Sequence, residues 1–209
     1  MGEFRLDWIS SIVDVGMFGV AVESGTFRGD STEILRQRFG TVHTIEIQPD
    51  LYKTATRRFV NRPNVICWPG DSSQIITNLA KIISSPTLWF LDAHWSGDRT
   101  VDWQSSNWYG YGVDTGHRGT PGRLPTSAEQ VPLMEELEAI ATFSPHTLIY
   151  IDDADKLTSD YKGQVNKGFL GEDWSHVRLT PWLERVKNRT MSIHAHPDGC
   201  QLAIELSAL

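Results

Sequence analysis

The chain is poor in cysteine, has no long apolar run and carries no cluster of basic residues. Its two cysteines, Cys67 and Cys200, stand far apart in 209 residues with no metal-type spacing. That excludes a disulfide-stapled scaffold and a cysteine-built zinc site, and it fits reduced, buried thiols in a cytoplasmic protein. No stretch approaches the roughly 20 apolar residues that span a bilayer. Glu3, Arg5 and Asp7 near the start interrupt the apolar core that a secretion signal needs. Lys and Arg number 19 against 26 Asp and Glu, for a net charge of −7. Such an excess of acid repels a phosphate backbone, so neither nucleic acid nor a membrane is expected as the main partner. What is present is ordinary: 40% apolar and 22% charged residues, enough for one domain, residues 1–209, with a full-sized core.

The stretch that organises the chain is Val20-Ala21-Val22-Glu23-Ser24-Gly25-Thr26-Phe27-Arg28-Gly29-Asp30-Ser31. A short apolar run ends in an acid, passes two glycines and opens a helix. Glycines at such a corner let the backbone turn tightly and approach a ligand without a Cβ in between. Asp30 stands where a helix cap is expected, with Glu33 in capping-box spacing. A dinucleotide fold would place Gly-x-Gly-x-x-Gly here to receive a pyrophosphate. The pattern is instead Glu-x-Gly-x-x-x-Gly. Its acid repels a pyrophosphate but suits a cation such as the amino end of S-adenosylmethionine.

Strand and helix signals alternate from residue 17 to 91. Strands are expected at about 17–23, 42–47, 64–68 and 87–91, with helices at about 31–39, 50–60 and 72–84. The rhythm breaks over residues 96–128, a Gly- and Trp-rich insertion holding Trp103, Trp108, Tyr109 and Tyr111. Loops of that length are usually functional, and these aromatic rings suit a lid stacking on a substrate, with a self-packed loop or an oligomer contact as the alternative. The alternation resumes with a helix at 131–142 and a strand at 146–151, then a helix from Pro181. Residues 191–206 close the chain as a hairpin turning at Pro197-Asp198-Gly199. The predicted fold is α/β: a Rossmann-like, mostly parallel seven-stranded sheet with a C-terminal antiparallel hairpin and helices on both faces.

Ligands of an open α/β sheet gather at the carboxyl edge of its strands. Every parallel strand brings an acid there: Glu23, Glu46, Asp71 in the segment after strand three, Asp92, and the pair Asp152-Asp153. Glu46 lies 23 positions after Glu23, near the spacing of about 20 at which an acid reaches ribose hydroxyls. Asp71 can accept from an adenine amino group while Ser72 caps the next helix. Asp92 and Asp152-Asp153 end neighbouring strands about 4.8 Å apart, where unpaired carboxylates would repel. A hard divalent cation such as Mg²⁺ resolves that repulsion. Otherwise one acid caps a helix and no ion binds.

The Glu23–Gly29 corner resembles motif I of class I S-adenosylmethionine-dependent methyltransferases. Together with Leu91-Asp92 and Ile151-Asp152-Asp153 it resembles the metal-dependent O-methyltransferases, the macrocin and mycinamicin sugar O-methyltransferases above all. The resemblance implies natural-product chemistry. It makes Glu23, Gly25, Thr26, Gly29, Ser31, Glu46, Asp71 and Ser72 contacts to S-adenosylmethionine, and Asp92, Asp152 and Asp153 ligands to Mg²⁺. Asp92-Ala93-His94-Trp95 has no lysine where catechol enzymes keep their base, and His94 is the first candidate for it. The expected activity is O-methylation of a hydroxylated small molecule. The alternatives are a metal-free methyltransferase acting on oxygen or nitrogen through Asp92 or His94, and a non-catalytic nucleotide-binding scaffold. The exposed aromatic loop also suits a homo-oligomer.

Overall fold

A computed structural model of the chain describes residues 4–94, 126–157 and 174–209. The insertion expected at 96–128 falls almost wholly outside the described residues, and so does Trp95. Strands β1 (Val20–Ser24), β2 (Thr41–Glu46), β3 (Val65–Pro69), β4 (Thr87–Leu91), β5 (Thr147–Ile151), β6 (Thr190–Ala195) and β7 (Leu202–Leu206) form one sheet in the order β3-β2-β1-β4-β5-β7-β6. The first five run parallel. β7 is antiparallel to both β5 and β6. The expected fold is the observed one.

Helices cover both faces. On one side α1 (Leu6–Ile12) and α2 (Asp30–Arg38) pack Ile9 and Leu35 against Ala21, Phe90 and Tyr150. On the other, α4 (Ser72–Ile82), α6 (Leu133–Phe143) and α7 (Leu179–Val186) bury Ile76, Leu137 and Trp182 against Val22, Trp89 and Ile204. Covering on both faces explains why β4 (Thr-Leu-Trp-Phe-Leu) and β5 (Thr-Leu-Ile-Tyr-Ile) are buried at every position and read as continuous rather than alternating apolar runs. α3 (Pro49–Phe59) follows β2, and the short α5 (Ser127–Gln130) precedes α6. Among the described residues no helix is long and apolar enough to cross a membrane.

Two expected helix caps are not formed. Gly29, at φ +79°, takes the cap position of α2, which leaves Asp30 as the first helical residue with no capping bond. The turn closed by the Gly29 N–H on the Thr26 carbonyl starts the helix one residue earlier than a capping box at Asp30 requires. Asp30 instead accepts from Arg58 Nη1 at 2.7 Å, and Glu33 pairs with Arg36. At α4 the cap is Asp71, not Ser72: Asp71 Oδ1 accepts the Ser73 amide at 2.9 Å. The extended backbone at Asp71 places its carboxylate over the first turn, where the free amides are.

Candidate active site

Register assembles the site. Ser24 pairs with Leu91 across β1 and β4, and Leu91 with Ile151 across β4 and β5. The ladders continue past the strand ends, with the Asp92 amide on the Ser24 carbonyl at 3.2 Å and the Asp152 amide on the Leu91 carbonyl at 3.1 Å. The tips carrying Glu23, Asp92 and Asp152 therefore lie side by side on one edge, and Glu46 joins them from β2.

The loop after β1 is set by two glycines. Gly25 has φ +84°, and a Cβ there would stand 2.8 Å from the Asp92 carbonyl oxygen. A Cβ on Gly29 would meet the Phe59 ring at 2.7 Å. Between them Phe27, also at positive φ, donates its amide to Glu46 Oε2 at 2.7 Å. Glu46 Oε1 accepts from the Gln48 amide at 2.8 Å. The Ile47 amide adds a third backbone bond to the same carboxylate. Burial pushes the Glu46 carboxyl above its ordinary range, while the amides of Gln48, Phe27 and Ile47 favour its charged form.

Four other expected cofactor residues turn their side chains into the protein. Glu23 accepts from Thr32 and Thr44, and burial pushes its carboxyl up to about 7. The Thr26 and Thr44 hydroxyls bond one another, and Ser31 Oγ accepts the Phe4 amide at 3.2 Å. The Ser72 hydroxyl bonds Glu136. Glu23, Thr26 and Ser31 support the loop from within the protein, and Gly25, Gly29 and Glu46 fix its backbone. Asp71 spends Oδ1 on its capping role.

The second half of the site is acidic. His94 Nδ1 lies 3.7 Å from Asp92 Oδ1 and 3.5 Å from Asp153 Oδ2. Asp92, His94 and Asp153 offer ligand atoms that all lie within 4.8 Å of one another. Asp152 accepts from Gln201 Nε2 at 3.2 Å through Oδ1, while its buried Oδ2 has no hydrogen-bond partner among the described residues. Asp153 has φ +56°, an uncommon conformation for a non-glycine residue and one that clusters at functional sites. Burial, then Asp152 and Asp153, push the Asp92 carboxyl well above its ordinary range. Burial and Asp153 likewise raise Asp152.

Three participants were missed by sequence reasoning. Lys156, in a single 3-10 turn, sets its ammonium 2.9 Å from Asp153 Oδ1 and 5.2 Å from the centre of the Trp174 ring. Glu136 of α6 is buried beneath the β1 tip, where desolvation pushes its carboxyl up to about 8. Ser24 accepts the Asp92 and Ala93 amides on its hydroxyl at 3.2 and 3.3 Å. Glu136 did leave a signal: with Leu133, Leu137 and Ile140 it occupies the apolar stripe of its helix, where an acid is out of place.

No protein-family model and no curated protein matches this sequence. Solved structures match its shape. A candidate O-methyltransferase from Klebsiella pneumoniae superposes with a TM-score of 0.54 at 15% identity, over 99% of this chain and 82% of its own. TomG from Streptomyces achromogenes, an O-methyltransferase involved in tomaymycin synthesis and solved with S-adenosylmethionine, gives 0.53 at 14% identity over 97% and 78%. A candidate methyltransferase from Streptococcus mutans, solved with S-adenosylhomocysteine, gives 0.53 at 10% identity over 99% of each chain. At these identities the likeness is one of fold: the chain has the architecture of class I S-adenosylmethionine-dependent methyltransferases.

Proposed function

We propose that this chain is an S-adenosylmethionine-dependent methyltransferase acting on a hydroxyl of a small molecule, a glycoside or other natural product, and that its turnover needs no metal ion. One relationship carries the reading. The β1 loop, framed by Gly25, Gly29 and Glu46, packs directly on the backbone of Asp92, so a methyl donor in that loop lies beside the acids at the β4 and β5 tips. The role of TomG in making a small molecule supports the same acceptor class.

The cofactor supplies an electrophilic methyl group on a sulfonium. The protein aligns an acceptor oxygen with that carbon and removes its proton. His94 suits the second task. Its Nδ1 faces Asp92 and Asp153, which favours the tautomer with the proton on Nδ1 and leaves Nε2 to take the proton of the acceptor. As the C–O bond forms the C–S bond breaks, and S-adenosylhomocysteine departs. An amine acceptor would use the same arrangement.

Lys156 favours the metal-free form. Its ammonium already neutralises the Asp153 side of the acid cluster, the place where repulsion between adjacent strand tips calls for a positive charge. A Mg²⁺-assisted form is the second reading, favoured by the close approach of Asp92, His94 and Asp153. The expected ligands are Asp92, Asp152 and Asp153, but the groups that approach one another are Asp92, His94 and Asp153. These would hold the ion, which would acidify the acceptor hydroxyl.

Calorimetry with S-adenosylmethionine, followed by turnover on catechol, a flavonol and a deoxysugar glycoside with and without EDTA, tests the proposal. Binding and chelator-resistant methyl transfer are expected. Activity lost to EDTA and restored by Mg²⁺ overturns the metal-free form in favour of the second reading. Binding without turnover on a broad acceptor panel leaves a non-catalytic nucleotide-binding protein, and absence of binding ends the proposal.

A further inference from the structure

We infer that Glu136, working through Ser24, is a positioning residue that fixes the β4 tip for methyl transfer, an inference that rests on the reading above. The hydroxyl of Ser24 has one hydrogen and two acceptor sites. Both acceptor sites are spoken for: the Asp92 amide lies 3.2 Å and the Ala93 amide 3.3 Å from Ser24 Oγ. The single hydrogen therefore has to leave in another direction, and Glu136 Oε2 receives it at 3.5 Å. Ser72, the first residue of α4, adds a second hydrogen bond to the same carboxyl. Glu136 thereby sets the rotor of Ser24, Ser24 holds two successive amides, and those amides belong to the β4 tip whose backbone packs against Gly25 and whose Asp92 side chain faces His94.

Packing alone does not account for an acid at this position. Glu136 is 1% exposed, its Oε1 has no hydrogen-bond partner among the described residues, and its helix neighbours Leu133, Leu137 and Ile140 belong to the apolar core. A half-satisfied buried carboxyl is costlier than a well-packed apolar side chain. An acid kept at such a cost points to work at the site rather than in the core.

The distinguishing feature is a separation of stability from function. In Glu136→Met, Tm is expected to equal or exceed that of the wild type. Exchange of the Ala93 amide should quicken about tenfold or more as its acceptor swings away, while the Asp92 amide keeps the Ser24 carbonyl. Turnover of catechol, a flavonol or a deoxysugar glycoside should fall about tenfold, with KM for S-adenosylmethionine within about twofold of wild type. Glu136→Gln, whose carbonyl oxygen can still take the Ser24 hydrogen, should restore both exchange and kcat. Ser24→Ala removes the relay itself and should reproduce Glu136→Met, which keeps the test intact if the methionine variant does not fold.

Unchanged exchange and kcat in Glu136→Met and Ser24→Ala overturn the inference. So does equal impairment by Met and Gln, or a loss of kcat that tracks a fall in Tm. A wild-type chain that methylates none of the acceptors would sink the reading beneath it, while exchange at the Ala93 amide would still decide whether Glu136 positions the tip.

Discussion

Lys156 Nζ stands 2.9 Å from Asp153 Oδ1, with only 9% of the lysine side chain exposed. The ammonium also lies over the ring of Trp174, so the cation is held from two sides beside three carboxylates. Removing it in Lys156→Met leaves Asp92, Asp152 and Asp153 to repel one another. A loss of about 1–3 kcal/mol is expected, below the cost of breaking a fully buried pair because Asp153 is partly exposed. Millimolar Mg²⁺ should then raise the Tm of the variant but not that of the wild type. Thermal melts with and without Mg²⁺ check this, and a wild-type chain stabilised by Mg²⁺ as strongly as the variant would contradict it.

Glu23 predicts a pH dependence of stability. Its carboxyl rises from an ordinary 4.5 to about 7 in the folded protein because it is buried, despite bonds from Thr32 and Thr44. Between these two values the unfolded chain has released the proton that the folded chain still holds. Stability from this group is therefore full below about pH 4.5 and lost as pH rises toward 7, by about 3 kcal/mol. Glu23→Gln cannot titrate and should escape that loss. Denaturant melts at pH 5 and pH 8 are expected to show the glutamine variant gaining on the wild type at the higher pH. A difference that stays constant with pH would show that Glu23 ionises normally.

Gly25 predicts a loss at the cofactor loop. Its positive φ disfavours any L side chain, and a Cβ would lie 2.8 Å from the Asp92 carbonyl oxygen and 3.3 Å from Ala93 Cα. These neighbours are backbone and cannot swing aside, so Gly25→Ala must part the β1 and β4 tips. A cost of about 1–3 kcal/mol in stability is expected, together with at least about tenfold weaker binding of S-adenosylmethionine. Calorimetry reads the second effect, and affinity equal to wild type would show that the loop is not the cofactor cradle.

Much of this architecture is legible in the sequence because it depends on patterns local to each element. The β4 run Thr87–Leu91 announces a strand covered on both faces, and the acids at the carboxyl ends of β1, β2, β4 and β5 stand where the parallel register gathers them. What escaped depends on local backbone conformation and on contacts between distant segments. Asp30 has the spacing of a cap, but the left-handed Gly29 takes that position and Arg58 from α3 draws the carboxylate away. Lys156 follows Asp153 by three residues, a spacing that suggests an ion pair only once a helical turn is known to lie there. Ser24 reads as an unremarkable residue beside a glycine, since nothing local reveals two amides from β4 converging on its hydroxyl.

Asp92 should show stability and activity moving in opposite directions. Its side chain is partly accessible, yet the carboxyl is held well above its ordinary range, first by desolvation and then by Asp152 and Asp153. The charged form is thus the one the fold tolerates least, while the proposed methyl transfer uses that charge to orient His94 and the acceptor. Asp92→Asn keeps the shape and the backbone bonds from the Asp92 amide to Ser24, and it removes the repulsion. The variant should be as stable as wild type or more so, by up to about 2 kcal/mol at pH 8. Its affinity for S-adenosylmethionine should stay within about threefold, because the proposed cofactor loop rests on Gly25, Gly29 and Glu46, and kcat should fall by about 100-fold. Melts, calorimetry and turnover on one preparation separate the three quantities. Equal losses of cofactor affinity and turnover would move Asp92 out of the acceptor side and into the cofactor pocket.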